Sequence, residues 1–204
     1  MKIALFGASG KTGTEVLKQL LEKGYSVNSL VRDASKLSIT NPNLKIFVGD
    51  VNNTSKYTDL LAGCDSVIIT LGGDVSEGVK NIVSSMKVVG NNRLILMSSY
   101  PMSGSVEGMN YLKSAGMDDA KIGGMMPMIQ GKIDQESMVS DSGLNWTIVR
   151  PTFLSDRPKT GDYRILEKAE FTSKDGISRA DVADFMLKVL ESSNWDKKIV
   201  SISS

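Results

Sequence analysis

Glycines 7, 10 and 13, in Gly7-Ala8-Ser9-Gly10-Lys11-Thr12-Gly13, have the spacing to hold an anion with backbone alone. They follow a short apolar run, Ile3 to Phe6, and a helical pattern begins directly behind them. Glycine at a strand end turns sharply because positive φ costs it nothing. A second glycine lets backbone approach a pyrophosphate, and a third lets the helix pack closely on its strand. The free N–H groups and positive end of that helix then face the anion. With Ser9, Lys11 and Thr12 between them, these glycines read as the phosphate cradle of a dinucleotide site. A P-loop is excluded, because its spacing needs glycine at position 5, where Leu5 stands. An empty glycine-rich turn is the plain alternative.

Other chemistry-bearing residues fall at the ends of predicted strands. The strand Ser26 to Val31 runs into Arg32-Asp33-Ala34-Ser35-Lys36. A carboxylate at this point accepts ribose hydroxyls in NAD sites. A guanidinium suits a 2′-phosphate through bidentate charge-assisted bonds. Arg32, with Lys36 a turn further on, favours NADP(H) over NAD(H). Asp33 offers itself to the ribose instead, and a solvated charged turn is the bland reading. Asp50 and Val51 follow the strand Leu44 to Val48 and border the expected adenine, although Asp50 would serve equally as a turn cap. Thr70, Leu71 and Gly72 end the strand Asp65 to Thr70; Ser98, Ser99 and Tyr100 end the strand Arg93 to Met97. Open α/β sheets bind ligands at that carboxyl edge. The two serines would otherwise bond only their own turn.

Composition removes other chemistries. The 24 basic and 23 acidic residues nearly cancel, so nothing points to nucleic acid or an anionic membrane. No histidine and a single cysteine, Cys64, exclude histidine triads, Cys/His zinc sites and an intrachain disulfide, so no metal site is expected. No apolar stretch has the length of a signal-peptide core or a membrane span. A cytoplasmic location is the expectation.

Between these strands lie helices predicted over Lys11 to Lys23, stopping at Gly24, over Thr54 to Leu61 with Thr54 as cap, and over Glu77 to Val89. Further helices are expected at Lys132 to Asp141 and behind Ser178, with a strand at Asn145 to Val149 and a last one at Ile199 to Ile202. Short strands are expected at Tyr163 to Ile165 and Glu170 to Thr172. The alternation predicts one α/β domain over residues 1–204, Rossmann-like and doubly wound, its mostly parallel sheet flanked by helices. Only residues 101–131 break the pattern. Seven of the eleven methionines fall between Met102 and Met138, among many glycines. Methionine makes an adaptable apolar wall, so this stretch reads as a mobile flap beside the ligand site, or else as a surface loop. A small substrate-side region is expected from about residue 151.

In this order the motifs resemble the atypical short-chain dehydrogenase/reductase family over nearly the full length. They are the glycine motif, Asp50-Val51, Lys132-x-x-x-Glu136, Ser142-Gly143-Leu144-Asn145-Trp146-Thr147-Ile148-Val149-Arg150-Pro151 and Ser178-Arg179-Ala180-Asp181-Val182-Ala183. Asn28 to Asp33 and Asp156-x-Pro158-x-Thr160-Gly161-x-Tyr163 bring it closest to the flavin reductase/biliverdin-IXβ reductase branch.

The resemblance implies active-site roles for Ser99 and Lys132, and places Ser98, Lys132, Arg150, Pro151, Thr152 and Phe153 around the reacting ring of a bound NADP(H). It puts Met128 where members with a Tyr-x-x-x-Lys pair keep the proton-transferring tyrosine, and a thioether moves no proton. Tyr100 and Tyr111 are the nearby substitutes. Glu136, where some members carry histidine, is expected to pair with Lys132 one turn away. The implied activity is hydride transfer from NADPH to a planar, flavin-like or quinone-like acceptor, with no nucleic acid or membrane partner. A non-catalytic NADP(H)-sensing regulator with a protein partner, and a nucleotide-sugar epimerase, are the alternatives.

Overall fold

The computed structural model describes residues 1–73, 75–167 and 170–204. In chain order the elements are β1 (Lys2–Phe6), α1 (Lys11–Glu22), β2 (Ser26–Val31), β3 (Leu44–Val48), α2 (Tyr57–Leu61), β4 (Ser66–Ile69), α3 (Ser76–Val89) and β5 (Arg93–Met97). Then follow α4 (Val106–Ser114), α5 (Asp119–Ser140), β6 (Asn145–Pro151), β7 (Phe153–Ser155), β8 (Arg164–Leu166), β9 (Gly176–Ser178), α6 (Arg179–Leu190) and β10 (Lys198–Ser203). The main sheet has eight strands in the order β3-β2-β1-β4-β5-β6-β10-β8. All its pairs are parallel except β10 with β8. The strand order reverses between β1 and β4, and the crevice of a doubly wound sheet opens at such a switch point.

The central strands β2, β1, β4, β5 and β6 bury both faces, as a parallel sheet between helix layers must. In β1, Ile3 and Leu5 join one core with Val16, Leu17 and Leu20 of α1 and Val182, Phe185 and Met186 of α6. Ala4 and Phe6 join the opposite core with Tyr57 and Leu60 of α2, Ile82 and Met86 of α3 and Val139 of α5. Each of these large side chains is fully buried, which stabilises by roughly 1.5–3 kcal/mol apiece.

Helix ends follow local chemistry. After α1, Gly24 takes φ +77°; its N–H bonds Leu21 O, and Tyr25 N–H bonds Leu20 O. That paired closure satisfies two carbonyls that the helix leaves open. Ser178 caps α6, its Oγ accepting from Asp181 N at 2.9 Å. Asn53, rather than Thr54, caps the turn before α2, its carbonyl oxygen accepting from Ser55 N.

Two expectations change. Most of residues 101–131 is helical. Ser105 caps α4 and Asp118 caps α5, each through its side-chain oxygen, so α5 begins thirteen residues before Lys132. The methionines of this stretch pack rather than dangle: Met102, Met109, Met117 and Met125 lie against Leu112, Ile122 and Ile129 in a small core of their own. The strand expected at Glu170 to Thr172 is absent. The strand of this region is instead β9, four residues on, which joins β7 in a separate parallel ribbon. Among the described residues, no helix is long and apolar enough to cross a membrane.

Candidate functional site

The glycine motif forms the turn between β1 and α1. Gly7 has φ +98°, and a Cβ on it would lie 2.7 Å from Thr70 Oγ1. That hydroxyl donates to Phe6 O at 3.1 Å, tying the end of β1 to the end of β4. Gly10 N–H closes the turn onto Gly7 O at 2.9 Å. Gly13 lies against the same carbonyl, where a Cβ would come within 1.9 Å. Gly10 caps α1 with no side-chain hydrogen bond, and the first turn carries no acidic residue. The helix therefore presents uncapped amides and an uncompensated positive end, as a pyrophosphate requires.

Beside this turn opens a cleft of about 510 Å³. It brings together Gly7, Ser9 and Gly10 from the turn, Arg32 and Lys36 after β2, Asp50 and Val51 after β3, and Thr70, Leu71 and Gly72 after β4. Gly73, beside Gly72, lines it too, and sequence reasoning missed Leu30, Val31, Gly49, Asn52 and Val75. Gly49 had a signal, being a glycine next to expected contacts. Val51 is held firmly. Tyr57 Oη donates to its carbonyl at 2.5 Å, and Gly78 of α3 sits so close that a Cβ there would meet the Val51 methyls at 2.7 Å. Burial and the nearby Asp50 push the Tyr57 phenol well above its ordinary pKa, so it stays a donor.

At the β2 end the carboxylate and the cations divide. Asp33 Oδ1 accepts from Ser35 Oγ at 2.7 Å and Ser35 N at 2.9 Å, capping a 3-10 turn. Those bonds hold its carboxyl below the usual range, and it does not line the cleft. Among the described residues, no carboxylate pairs with Arg32 or Lys36.

The other expected residues lie outside that lining. Thr12 is buried under the turn, and Lys11 reaches away to Asp156 Oδ2 at 3.0 Å. Lys132, buried on α5, directs its ammonium to Leu71 O at 3.4 Å and Gln135 Oε1 at 3.2 Å. Gln135 in turn donates to Gly73 O at 3.4 Å. α5 is thus fastened to the loop that lines one end of the cleft. The expected Lys132–Glu136 pair does not form. Glu136 is taken bidentately by Arg150, through Nε at 2.9 Å and through Nη2, because the planar fork matches a carboxylate better than an ammonium does.

Ser99 is half-buried at the end of β5, and the buried Ser98 Oγ has no hydrogen-bond partner among the described residues. Pro151 O accepts from Tyr100 N at 2.9 Å, Thr152 Oγ1 meets Ser203 Oγ at 2.9 Å, and the Phe153 ring packs edge-on against Tyr111. These three therefore brace the sheet edge. Of the two substitute tyrosines, Tyr111 has its proton engaged. Tyr111 Oη donates to Asp175 O and accepts from Phe153 N, while Tyr100 Oη accepts from Phe171 N. Both rings are buried, which raises both phenol pKa values.

A family model described as NAD(P)H-binding matches residues 7–193. The chain belongs to that family. Related proteins carry oxidoreductase, reductase and epimerase names. An uncharacterized chloroplastic protein of Arabidopsis thaliana is 27% identical over 98% of this chain and 76% of its own length. An uncharacterized sugar epimerase of Bacillus subtilis, YhfK, is 23% identical over 100% of this chain and 94% of its own. Among solved structures, the anaerobillin reductase ChuY of Escherichia coli O157:H7 superposes with TM-score 0.83 at 22% identity, over 99% of this chain and 96% of that one. A Veillonella parvula short-chain dehydrogenase/reductase in complex with NADP superposes with TM-score 0.82 at 18% identity, over 100% and 94%. At these identities the superpositions establish the fold.

Proposed function

We propose that the chain is an NADPH-dependent reductase that delivers hydride to a planar, conjugated acceptor of flavin-like or quinone-like type. The observation that carries this reading is the missing proton donor. Met128, four residues before Lys132 on α5, is 47% exposed and has no ionisable proton. Tyr111 spends its hydroxyl proton on Asp175 O, and the Tyr100 ring is buried against Tyr111 and Phe171. An acceptor that needs a positioned acid is poorly served here; an electron-poor ring that takes its proton from water is not.

The cofactor half of the proposal rests on charge. Among the described residues Arg32 and Lys36 stand at the β2 end of the cleft with no carboxylate partner, and Asp33 is engaged in its own turn. Bidentate recognition by Arg32, with Lys36 as a second cation, fits a 2′-phosphate. Gly7, Ser9, Gly10 and the amides of Lys11, Thr12 and Gly13 would hold the pyrophosphate; Asp50 and Val51 would border the adenine. Thr70, Leu71 and Gly72 would flank the nicotinamide, with Lys132 braced behind them and Ser98 and Ser99 beside the reacting ring. A bound nicotinamide supplies the hydride; the protein's part is to hold two flat rings in register and limit water at the transfer.

The test is NADPH oxidation by the purified chain with FMN and a quinone series as acceptors. Turnover with one of them, with KM for NADPH well below that for NADH, is expected. Saturable NADPH binding with no turnover on any acceptor would overturn the reductase reading and favour an NADP(H)-sensing regulator.

A further inference from the structure

Gln135 is 1% exposed, on α5 one turn after Lys132. A side-chain amide buried so completely needs partners at both ends, and it has them. Oε1 accepts from Lys132 Nζ at 3.2 Å, and Nε2 donates to Gly73 O at 3.4 Å. Lys132 Nζ also reaches Leu71 O at 3.4 Å. An ammonium can only donate, so the lysine fixes which end of the amide is oxygen and leaves the NH2 end for Gly73. The two side chains thereby hold the carbonyls on either side of Gly72.

The loop they hold has little of its own to fix it. The Thr70 hydroxyl ties the end of β4 to Phe6 O, and Leu71 and Val75 pack on the core. Between those anchors, Gly72 and Gly73 have no side chains, and Gly73 stands at φ +79°. Among the described residues nothing lies within 4 Å of a Cβ built on either. Adjacent glycines leave a chain more backbone freedom than other residues do, so the loop takes its place from α5. Leu71, Gly72 and Gly73 all line the cleft. The phosphate turn is held differently, by the close contacts of Gly7 with Thr70 and of Gly10 and Gly13 with Gly7 O. Arg32 and Asp50 follow β2 and β3, on the other side of β1 from this loop.

We propose that Gln135 is a positioning residue for the nicotinamide half of the cofactor. It acts through the 71–73 loop, directly at Gly73 O and by way of Lys132 at Leu71 O, and not by touching the ligand. The proposal rests on the reading of the cleft as an NADPH site with Thr70 to Gly72 beside the nicotinamide. Loss of Gln135 then frees the glycine pair and leaves the phosphate turn and the adenosine side as they are.

Two probes titrated against the purified full chain test it. NADPH spans both halves of the site, whereas adenosine 2′,5′-bisphosphate has only the adenosine half. Gln135→Leu, of similar size, removes both bonds and should weaken NADPH binding by about five- to tenfold. The bisphosphate Kd should stay within about twofold. Gln135→Glu keeps an oxygen for Lys132 but, ionised, has no donor for Gly73 O. It should show the same selective loss, and it decides the matter should the leucine variant fail to fold. Equal weakening of both probes, or native NADPH affinity in a folded variant, would overturn the proposal. A wild-type chain that binds NADPH but reduces no acceptor would remove the reductase reading, while the paired titration would still decide Gln135. A wild-type chain that prefers NADH would remove the NADP preference, and NADH with AMP then take the places of the two probes.

Discussion

Gly13 on the first turn of α1 packs against the carbonyl oxygen of Gly7, so closely that a methyl group there would sit 1.9 Å from it. The contact is backbone to helix, and neither side has a flexible end to move aside. This single approach sets how near α1's uncapped amides come to the end of β1, and hence where an anion would sit.

Gly13→Ala should therefore displace α1 from β1. Overpacking at so tight a contact should cost about 2 kcal/mol, lowering Tm by roughly 5 °C in a chain of this size. NADPH binding, read by fluorescence titration, should fall by more than that stability loss explains. A variant with native Tm and native affinity would mean that the turn can relax without touching the cradle.

Arg32→Ala tests cofactor choice. Loss of a charge-assisted bond to a 2′-phosphate costs about 1.5–3 kcal/mol, or roughly 10- to 100-fold in Kd for NADPH. Binding of NADH, which lacks that phosphate, should stay within about twofold. Equal losses for both cofactors would show that Arg32 only shapes the turn before Lys36.

Much of this was readable in advance because parallel strands buried on both faces leave unmistakable apolar runs. Ile3 to Phe6 and Val67 to Ile69 are such runs, and each ends in a glycine or threonine that reaches the cleft. The stretch 101–131 was not readable, because glycines 123 and 124 and Pro127 masked a helix whose start is declared only by Asp118. Tertiary packing of the methionines overrides that poor local propensity. Partner choice was the other blind spot. Lys132 and Glu136 have the spacing of a helical ion pair, but Arg150 arrives from β6 and takes the carboxylate, a contact no local pattern announces.

Tyr111→Phe separates a structural from a catalytic phenol. Its hydroxyl serves Asp175 O and Phe153 N in a fully buried setting. Removal leaves both groups unsatisfied and should cost about 1–3 kcal/mol in urea unfolding. Rates with any acceptor the chain reduces should change less than about twofold, and the pH profile should not move. A collapse in kcat with native stability would restore a tyrosine proton relay.

Asp184 on α6 gives the fold an acid-side dependence. Burial alone would raise its carboxyl pKa, but bonds from Lys159 at 2.7 Å, Lys188 at 2.8 Å and the Tyr163 hydroxyl at 2.7 Å outweigh that and hold it at about 2. A carboxyl whose pKa is depressed on folding stabilises fully above its unfolded value near 4 and loses that contribution as pH falls through about 2. Both lysines are half exposed, and after allowing for solvent screening the contribution is about 1–2 kcal/mol. Thermal unfolding of Asp184→Asn should therefore lie below wild type at pH 6 and converge with it as the pH approaches 2. A gap that stays constant between pH 6 and pH 2.5 would mean that the amide fails sterically, and that the ionised carboxylate contributes nothing of its own.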